Sequence, residues 1–282
     1  MISVAIGIHD PQGEYACHAG AMLASLFART TQPVCAHVFH NATLTADNRD
    51  RLSAIARHFR QELRFYPVAL PEAVRPLGGH VTEGALFRLL LPDLLPVDKV
   101  IYFDCDIVVG LDIDELWRLD LQGKPVAAAL DPGFPSFPDH ILRRIRATGI
   151  QTTNYFNSGV LVMDLKHLRE KYRLFHQAVD FLLRFPDSVF HDQDALNRLF
   201  EEKFRLLDPR FNRVVSRTPS KEWNQQAIWH FAGVKPWKVY SSAQDMLYWK
   251  ALQQTPWRDE VLDRLAGAMA STIRQMNAML NR

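Results

Sequence analysis

Lys99-Val-Ile-Tyr-Phe-Asp-Cys-Asp-Ile-Val-Val109 is the stretch whose reading decides the fold. Val100 to Phe103 form an all-apolar run, the pattern of a central strand buried on both faces. Asp104 and Asp106 then interrupt it, with Ile107, Val108 and Val109 beyond. Carboxylates against a buried strand are costly unless something neutralises them. In an extended chain residues i and i+2 point the same way. The spacing therefore predicts both carboxylates at one spot, at the carboxyl end of a strand, where open α/β sheets bind ligands. Two such groups would hold a divalent cation through oxygen. The plain alternative is a strand exit with solvated aspartates.

Working outward, short β-branched runs occur at Ser3–Ile8, Val34–His40, Leu63–Val68, Lys99–Val109 and Val126–Leu130. Helical patterns separate them. Tyr15 to Arg29 puts Ala19, Met22, Leu23, Leu26 and Phe27 on one face, and Thr45 to Phe59 repeats the pattern. Thr82 is the predicted N-cap of a helix over Glu83 to Leu91. Further on, a strand is predicted over Tyr155 to Met163, and helices over Lys166–Phe185 and Asp192–Phe200. Short strands are predicted over Arg210–Val215 and Ala227–Phe231. Trp257 to Leu280 reads as a terminal helix with Val261, Leu262, Leu265, Met269, Ile273, Met276 and Leu280 on one stripe. Alternation of this kind predicts an α/β fold, a mainly parallel central sheet with a helical C-terminal extension.

Composition narrows the function. The chain has 282 residues, 48% hydrophobic and 23% charged, so it is neither disordered nor fibrous. Lys+Arg 33 against Asp+Glu 31 speaks against a general nucleic-acid partner. Cys17, Cys35 and Cys105 are too few for a disulfide framework and favour a reducing compartment. The start of the chain has no basic leader and no apolar stretch of membrane-spanning length. A cytoplasmic location is expected, with peripheral contact at the inner face of a membrane left open.

Other polar groups stand out. Asn157, Ser158 and Gly159 precede an apolar run; Asn157 is a turn residue or a hydrogen-bond partner for a sugar hydroxyl. Asp192 is a candidate helix cap, whereas Gln193 offers both donor and acceptor to a polyol. His230 suits a core position or a metal, and Gly233, Lys235 and Trp237 behind it suit a phosphate-facing loop. Arg88 sits among Leu86, Phe87, Leu89 and Leu90, aimed at solvent or at an acidic site.

Taken in order, Arg88, Tyr102-Phe-Asp-Cys-Asp106, Phe156-Asn-Ser-Gly159, Asp192-Gln-Asp-Ala-Leu-Asn197, Arg210-Phe-Asn212 and His230-Phe-Ala-Gly-Val-Lys-Pro-Trp237 resemble glycosyltransferase family 8. These are retaining nucleotide-sugar transferases, bacterial lipopolysaccharide galactosyl- and glucosyltransferases among them. The resemblance runs from Val4 to about Trp237. It implies a GT-A-type, Rossmann-like catalytic domain over residues 1–240, with 241–282 as the helical extension. It implies a UDP-hexose donor, a glycan or lipid-linked saccharide acceptor, and Mn²⁺ (or Mg²⁺) on Asp104, Asp106 and His230. Tyr15, Arg88, Asp131, Asn157, Gly233 and Lys235 would bind the donor, with Asp192 and Gln193 at the reacting carbon. Gln193 is a poor nucleophile, which points to front-face attack. The family's last motif usually has two residues between its Gly and Lys; here Val234 stands alone. The N-terminal loop His9 to Tyr15 is lengthened, which weakens base recognition through Asp10 or Tyr15.

Two other classes fit parts of the pattern. Asp104-Cys-Asp-Ile-Val108 matches the nucleophile strand of haloacid-dehalogenase-type phosphatases. A non-catalytic sugar-nucleotide-binding protein would also keep these residues. Charge is uneven: Pro92 to Asp120 holds eight acidic and two basic residues, and Lys203 to Lys221 six basic and one acidic. The basic stretch, with Arg213 and Arg217, would suit an anionic acceptor.

Overall fold

The computed structural model describes residues 1–71, 83–215 and 226–280. Its strands are β1 (Ile2–Ile8), β2 (Val34–His40), β3 (Glu62–Pro67), β4 (Lys99–Phe103), β5 (Ile107–Val109), β6 (Val126–Ala128), β7 (Val160–Asp164), β8 (Arg205–Leu206), β9 (Arg213–Val214) and β10 (Ile228–His230). Seven form the main sheet, in the order β3-β2-β1-β4-β7-β6-β8. β1 pairs in parallel with β2 and β4, β2 with β3, and β6 with β8. The sheet is therefore mainly parallel. β7 is the exception, antiparallel to both β4 and β6. Its reversal matters for the site. With Phe103 paired to Val160, the residues that enter β7 lie beside the carboxyl end of β4.

Lys99–Val109 is not one strand. It breaks at Asp104-Cys105-Asp106, which turns, and β5 leaves the main sheet. β5 joins a second sheet in the order β5-β10-β9. The two aspartates are thus brought together by a turn and not by the two-residue period of an extended chain.

The helix Tyr15–Arg29 forms over the span that periodicity gives. Thr45 caps the helix Ala46–His58 by accepting from Asn48 N. Other expectations need correction. Thr82 lies outside the described residues. Beyond it the chain is helical over Glu83–Leu86, tightens to a 3-10 turn over Phe87–Leu90, and restarts as a helix at Leu91–Leu94. Pro92 sits in the first turn of that last helix, where a missing N–H costs nothing. The helix expected over Lys166–Phe185 is two, Leu165–Lys171 and Leu174–Arg184, because Tyr172 between them is extended. Arg210–Val215 begins as a 3-10 turn, Pro209–Asn212. The strand expected from Tyr155 starts only at Val160, and the turn before it is what builds the site.

Apolar side chains cover both faces of the main sheet. Along β4, Ile101 and Phe103 enter one core and Val100 and Tyr102 the other. Tyr248, Trp249, Leu252 and Trp257 join the first of these cores. Gly20 makes room for this, since a Cβ there would lie 2.7 Å from the Trp257 ring. The cysteines are free and buried. No helix among the described residues is long and apolar enough to cross a membrane.

The final helix, Val261–Leu280, packs through its first half, as far as Thr272, whose Oγ1 donates to Tyr240 O at 2.8 Å. Val261 and Ala268 are buried, whereas Leu262, Met269, Ile273, Met276 and Leu280 are exposed. Most of the stripe expected from spacing therefore faces outward.

His18 stacks on Trp237 with ring centroids 3.6 Å apart, and its Nδ1 meets Tyr248 Oη at 2.7 Å. Burial, with Arg264 nearby, pushes its pKa down to about 3. The unfolded chain takes a proton there near pH 6.5, the folded chain only near 3. Stability from this group is therefore complete above pH 6.5 and drains away as the pH falls. Between pH 7 and 5 the loss is about 2 kcal/mol. Urea unfolding at both pH values should show a shallower drop for His18→Phe. Equal drops would assign the acid sensitivity elsewhere.

Candidate active site

The site stands at the carboxyl end of β4. Asp104 and Asp106 come from the turn after it, and His230 from the end of β10. His230 pairs with Ile107, which sets its ring beside Asp106. His230 Nε2 lies 3.3 Å from Asp106 Oδ1 and 3.8 Å from Asp104 Oδ2. Ligand-type atoms of all three residues fall within 4.8 Å of one another. Gly159 allows this approach, because a Cβ there would sit 2.2 Å from His230 Cε1.

The tautomer of His230 follows from a hydrogen-bond chain anchored on a carboxylate. Asp131 Oδ2 can only accept, and Asn157 Nδ2 donates to it at 3.1 Å. That turns Asn157 Oδ1 toward Asn212, whose Nδ2 donates to it at 2.9 Å. Asn212 Oδ1 then faces His230 Nδ1 at 2.9 Å, so Nδ1 carries the proton. In the neutral ring the lone pair is on Nε2, aimed at the two aspartates. Asp106 Oδ1 is buried with no hydrogen-bond partner. Converging acceptors with nothing between them suit a divalent cation and little else. Asn212 was not singled out for this role because its partner is close only in space. Asn212→Ala is expected to weaken Mn²⁺ binding about tenfold to a hundredfold. Titration calorimetry on the metal alone measures this, and unchanged affinity would remove Asn212 from the site.

The other oxygen of Asp106 is ion-paired to Lys235 Nζ, which also donates to Phe231 O at 2.7 Å. Burial would raise the Asp106 carboxyl, but the Lys235 ammonium outweighs it and holds it well below the usual carboxylate range. The Gly233-Val-Lys235 spacing therefore delivers the ammonium to the edge of the acidic cluster. Gly233 has open space around it.

Arg88 is buried and does not point to solvent. Its Nη2 donates to Asp104 Oδ1 at 2.7 Å, its Nη1 to Ser158 O at 2.6 Å, and its Nε to Ala85 O at 2.8 Å. Its guanidinium covers the Tyr102 ring at 4.5 Å, and Tyr102 Oη donates to the same Asp104 oxygen. Asp104 Oδ1 is thus doubly occupied, which ill suits the phosphatase reading of a free nucleophile.

Asp192 lies in the first turn of the helix Asp192–Leu199 but is not its cap; His191 holds that position. Asp192 Oδ2 sits 3.2 Å from Arg88 Nε without hydrogen-bond alignment. Burial pushes its carboxyl up to about 6, with Arg88 opposing. Gln193 is tied at both ends. Its Oε1 accepts from Ser158 N at 3.0 Å and its Nε2 donates to Asp131 Oδ2 at 3.2 Å. Asp131, Asn157, Asp192 and Gln193 therefore share one wall with Arg88.

Tyr15 begins the first helix, edge-on to His18. Asp10 is committed elsewhere: its carboxylate accepts from Tyr15 N, Ala16 N and Asn48 Nδ2. It holds the start of that helix, which removes it as a free base-reading group. A second unforeseen residue is Asp194, fully buried, accepting from Tyr155 Oη, Ser188 Oγ and Phe190 N. Arg217 and Lys221 lie outside the described residues.

A mainly parallel sheet with an Asp-x-Asp turn at its carboxyl edge puts the candidate site where open α/β folds bind their ligands. The family model described as Glycosyl transferase family 8 matches residues 9–240, and the chain belongs to that family. General stress protein A of Bacillus subtilis is 33% identical over 92% of each chain. The lipopolysaccharide 1,3-galactosyltransferase of Salmonella typhimurium is 24% identical over 90% of this chain and 79% of that one. The fold matches the galactosyltransferase LgtC, solved with donor and acceptor sugar analogues, at a TM-score of 0.76 and 24% identity. That match covers 92% of this chain and 99% of that one.

Proposed function

We propose that this chain moves a hexose, galactose or glucose, from a UDP-hexose to a glycan or lipid-linked saccharide, with retention of configuration. Residues 1–240 carry the chemistry and 241–282 extend it. The observation that carries the reading is the convergence of Asp104, Asp106 and His230 beside Lys235. The donor class is supported by the Salmonella relative's name and the ligands bound in LgtC.

Asp104, Asp106 and His230 would hold Mn²⁺ or Mg²⁺, and the orphaned Asp106 Oδ1 fits such an ion. When bound, the ion supplies Lewis-acid stabilisation of the leaving diphosphate. Lys235 adds a positive charge on the same side, releasing Asp106 to meet a phosphate oxygen. The wall of Arg88, Asp131, Asn157, Asp192 and Gln193 orients the hexose, and Tyr15 lies toward the base. Gln193, fixed at both ends, positions the reacting carbon and does not attack it. The acceptor hydroxyl attacks from the face the diphosphate leaves, and a departing phosphate oxygen takes its proton.

The test is a donor screen with UDP-galactose and UDP-glucose in Mn²⁺, in Mg²⁺ and after chelation. Chelation should lower turnover by about a hundredfold or more, with recovery on adding metal. Absence of binding and cleavage for every UDP-hexose would sink the reading.

A further inference from the structure

Leu262, Met269 and Met276 recur at a seven-residue step along the final helix, and so do Ala266, Ile273 and Leu280. The two series interleave at steps of four and three, the spacing of a coiled-coil seam, narrower than the stripe a helix lays on a core. All six residues are exposed, Leu262 at 75%, Ile273 at 58% and Leu280 at 81%. The helix turns a different side to the body of the protein, where Val261 and Ala268 are buried and Thr272 reaches Tyr240. At about 3.6 residues per turn, the seam lies roughly a quarter turn round from that side.

Spacing, charge and area together say what covers the seam. The steps four, three, four, three, four read the same from either end. A reversed copy of the helix therefore sets Leu262 against Leu280, Met269 against Ile273, and the small Ala266 against the large Met276. A parallel copy would set Ala266 against Ala266 and leave a gap, which close-packed interfaces avoid. It would also bring both protein bodies to the same end, since each helix is buried only in its first half. Charge does not oppose the reversed pairing. From Val261 to Leu280 only Asp263, Arg264 and Arg274 are charged, none of them in the seam, and Arg264 is already paired with Glu260. The two Asp263 carboxylates would stand about 24 Å apart along the axis. So few basic residues ill suit an anionic lipid surface, which calls for a polar face rich in Lys and Arg. With Met279, 69% exposed beside the seam, six large apolar side chains are uncovered. At roughly 100 Å² each they offer roughly 600 Å² per copy, somewhat below the roughly 800 Å² per partner of a standard interface. That area fits a reversible dimer.

We propose that this seam is the interface of a homodimer, in which the final helices of two copies of this chain pair antiparallel about a two-fold axis near Ser271. The free second half of each helix lies on the exposed seam of the other's first half, and their apolar side chains leave water together. None of these residues belongs to the nucleotide-sugar site, so the dimer and the donor reading stand or fall separately.

Sedimentation equilibrium of the full chain, from about 1 to about 200 µM, should show monomer and dimer exchanging with a Kd of about 10 µM. Met269→Glu with Ile273→Glu, both at exposed positions, crowds carboxylates at the centre of the pair and should weaken association at least about a hundredfold. Mixing that variant with Met269→Lys, Ile273→Lys should restore the dimer. Orientation is read by cross-linking. Leu262→Cys mixed with Leu280→Cys should form a disulfide between the two chains under mild oxidation, and neither alone should, because residues 262 and 280 lie about 27 Å apart along one helix. These cysteines sit at exposed positions, so the cross-link also decides should the charged variants fail to fold. The proposal is overturned by a chain that stays monomeric throughout, by a Glu variant that associates normally, or by a dimer that does not give the mixed cross-link. A monomer that co-sediments with vesicles of phosphatidylcholine and phosphatidylglycerol would assign the seam to lipid and overturn it as well.

Discussion

Asp106→Asn is expected to lower turnover with a UDP-hexose about a thousandfold while leaving the fold in place. The amide has the shape of the carboxylate it replaces, so packing around this buried side chain survives. What changes is charge. The site loses one of its two carboxylates, and Lys235 loses its ion-pair partner. Lys235 tolerates this because its side chain is 24% exposed and water can reach it. Two effects are therefore mixed in one variant, and Lys235→Met separates them. That variant keeps Asp104, Asp106 and His230 intact, so it should bind Mn²⁺ with near-normal affinity yet turn over about tenfold to a hundredfold more slowly. Asp106→Asn should lose both affinity and rate. Metal affinity by calorimetry and initial rates on the same preparations give the comparison. Retention of Mn²⁺ binding in Asp106→Asn would take Asp106 out of the ligand set.

The second large effect concerns stability. Asp194→Ala is expected to cost about 3–5 kcal/mol, a large share of the roughly 5–15 kcal/mol that holds a domain together. The carboxylate is fully buried and accepts from Tyr155 Oη at 2.5 Å, Ser188 Oγ at 2.6 Å and Phe190 N at 3.0 Å. Removing it strands three donors at once, and each must be desolvated without return. It also loosens the turn in which His191 adopts φ 46°, a conformation non-glycine residues avoid. That turn launches the helix carrying Asp192 and Gln193. Ser188→Ala, which removes one donor with its bond, should cost only about 1 kcal/mol. Urea unfolding distinguishes the two, and a loss below about 1 kcal/mol for Asp194→Ala would show the three bonds to be dispensable.

Much of the frame is legible in sequence because it rests on local periodicity. The helix Tyr15–Arg29 and the strand Val34–His40 fall where their patterns place them. The apolar run Val100–Phe103 announces a buried strand, and the aspartates after it announce a site. What escapes is whatever depends on a distant partner. The turn at Cys105 and the departure of β5 depend on β10, which supplies the antiparallel neighbour much later in the chain. Asp194 reads as one more acidic residue in a helix start until Tyr155 and Ser188 close around it. Asp10 reads as a free carboxylate until the helix N-terminus and Asn48 claim it. The stripe from Leu262 to Leu280 is a true helical period, but a period says only that one side is apolar, not that anything covers it.

The small sheet β5-β10-β9 has a consequence for when the protein becomes competent. Lys235 is 129 residues from Asp106, and His230 reaches the aspartates only through β10. On the ribosome, β4 and its turn emerge long before the strand that completes them. Closing so long a loop is entropically slow, and its contacts reward the chain only at the end. The cluster of Asp104, Asp106 and His230 is therefore complete only once the later part of the chain has folded against β4 and β5.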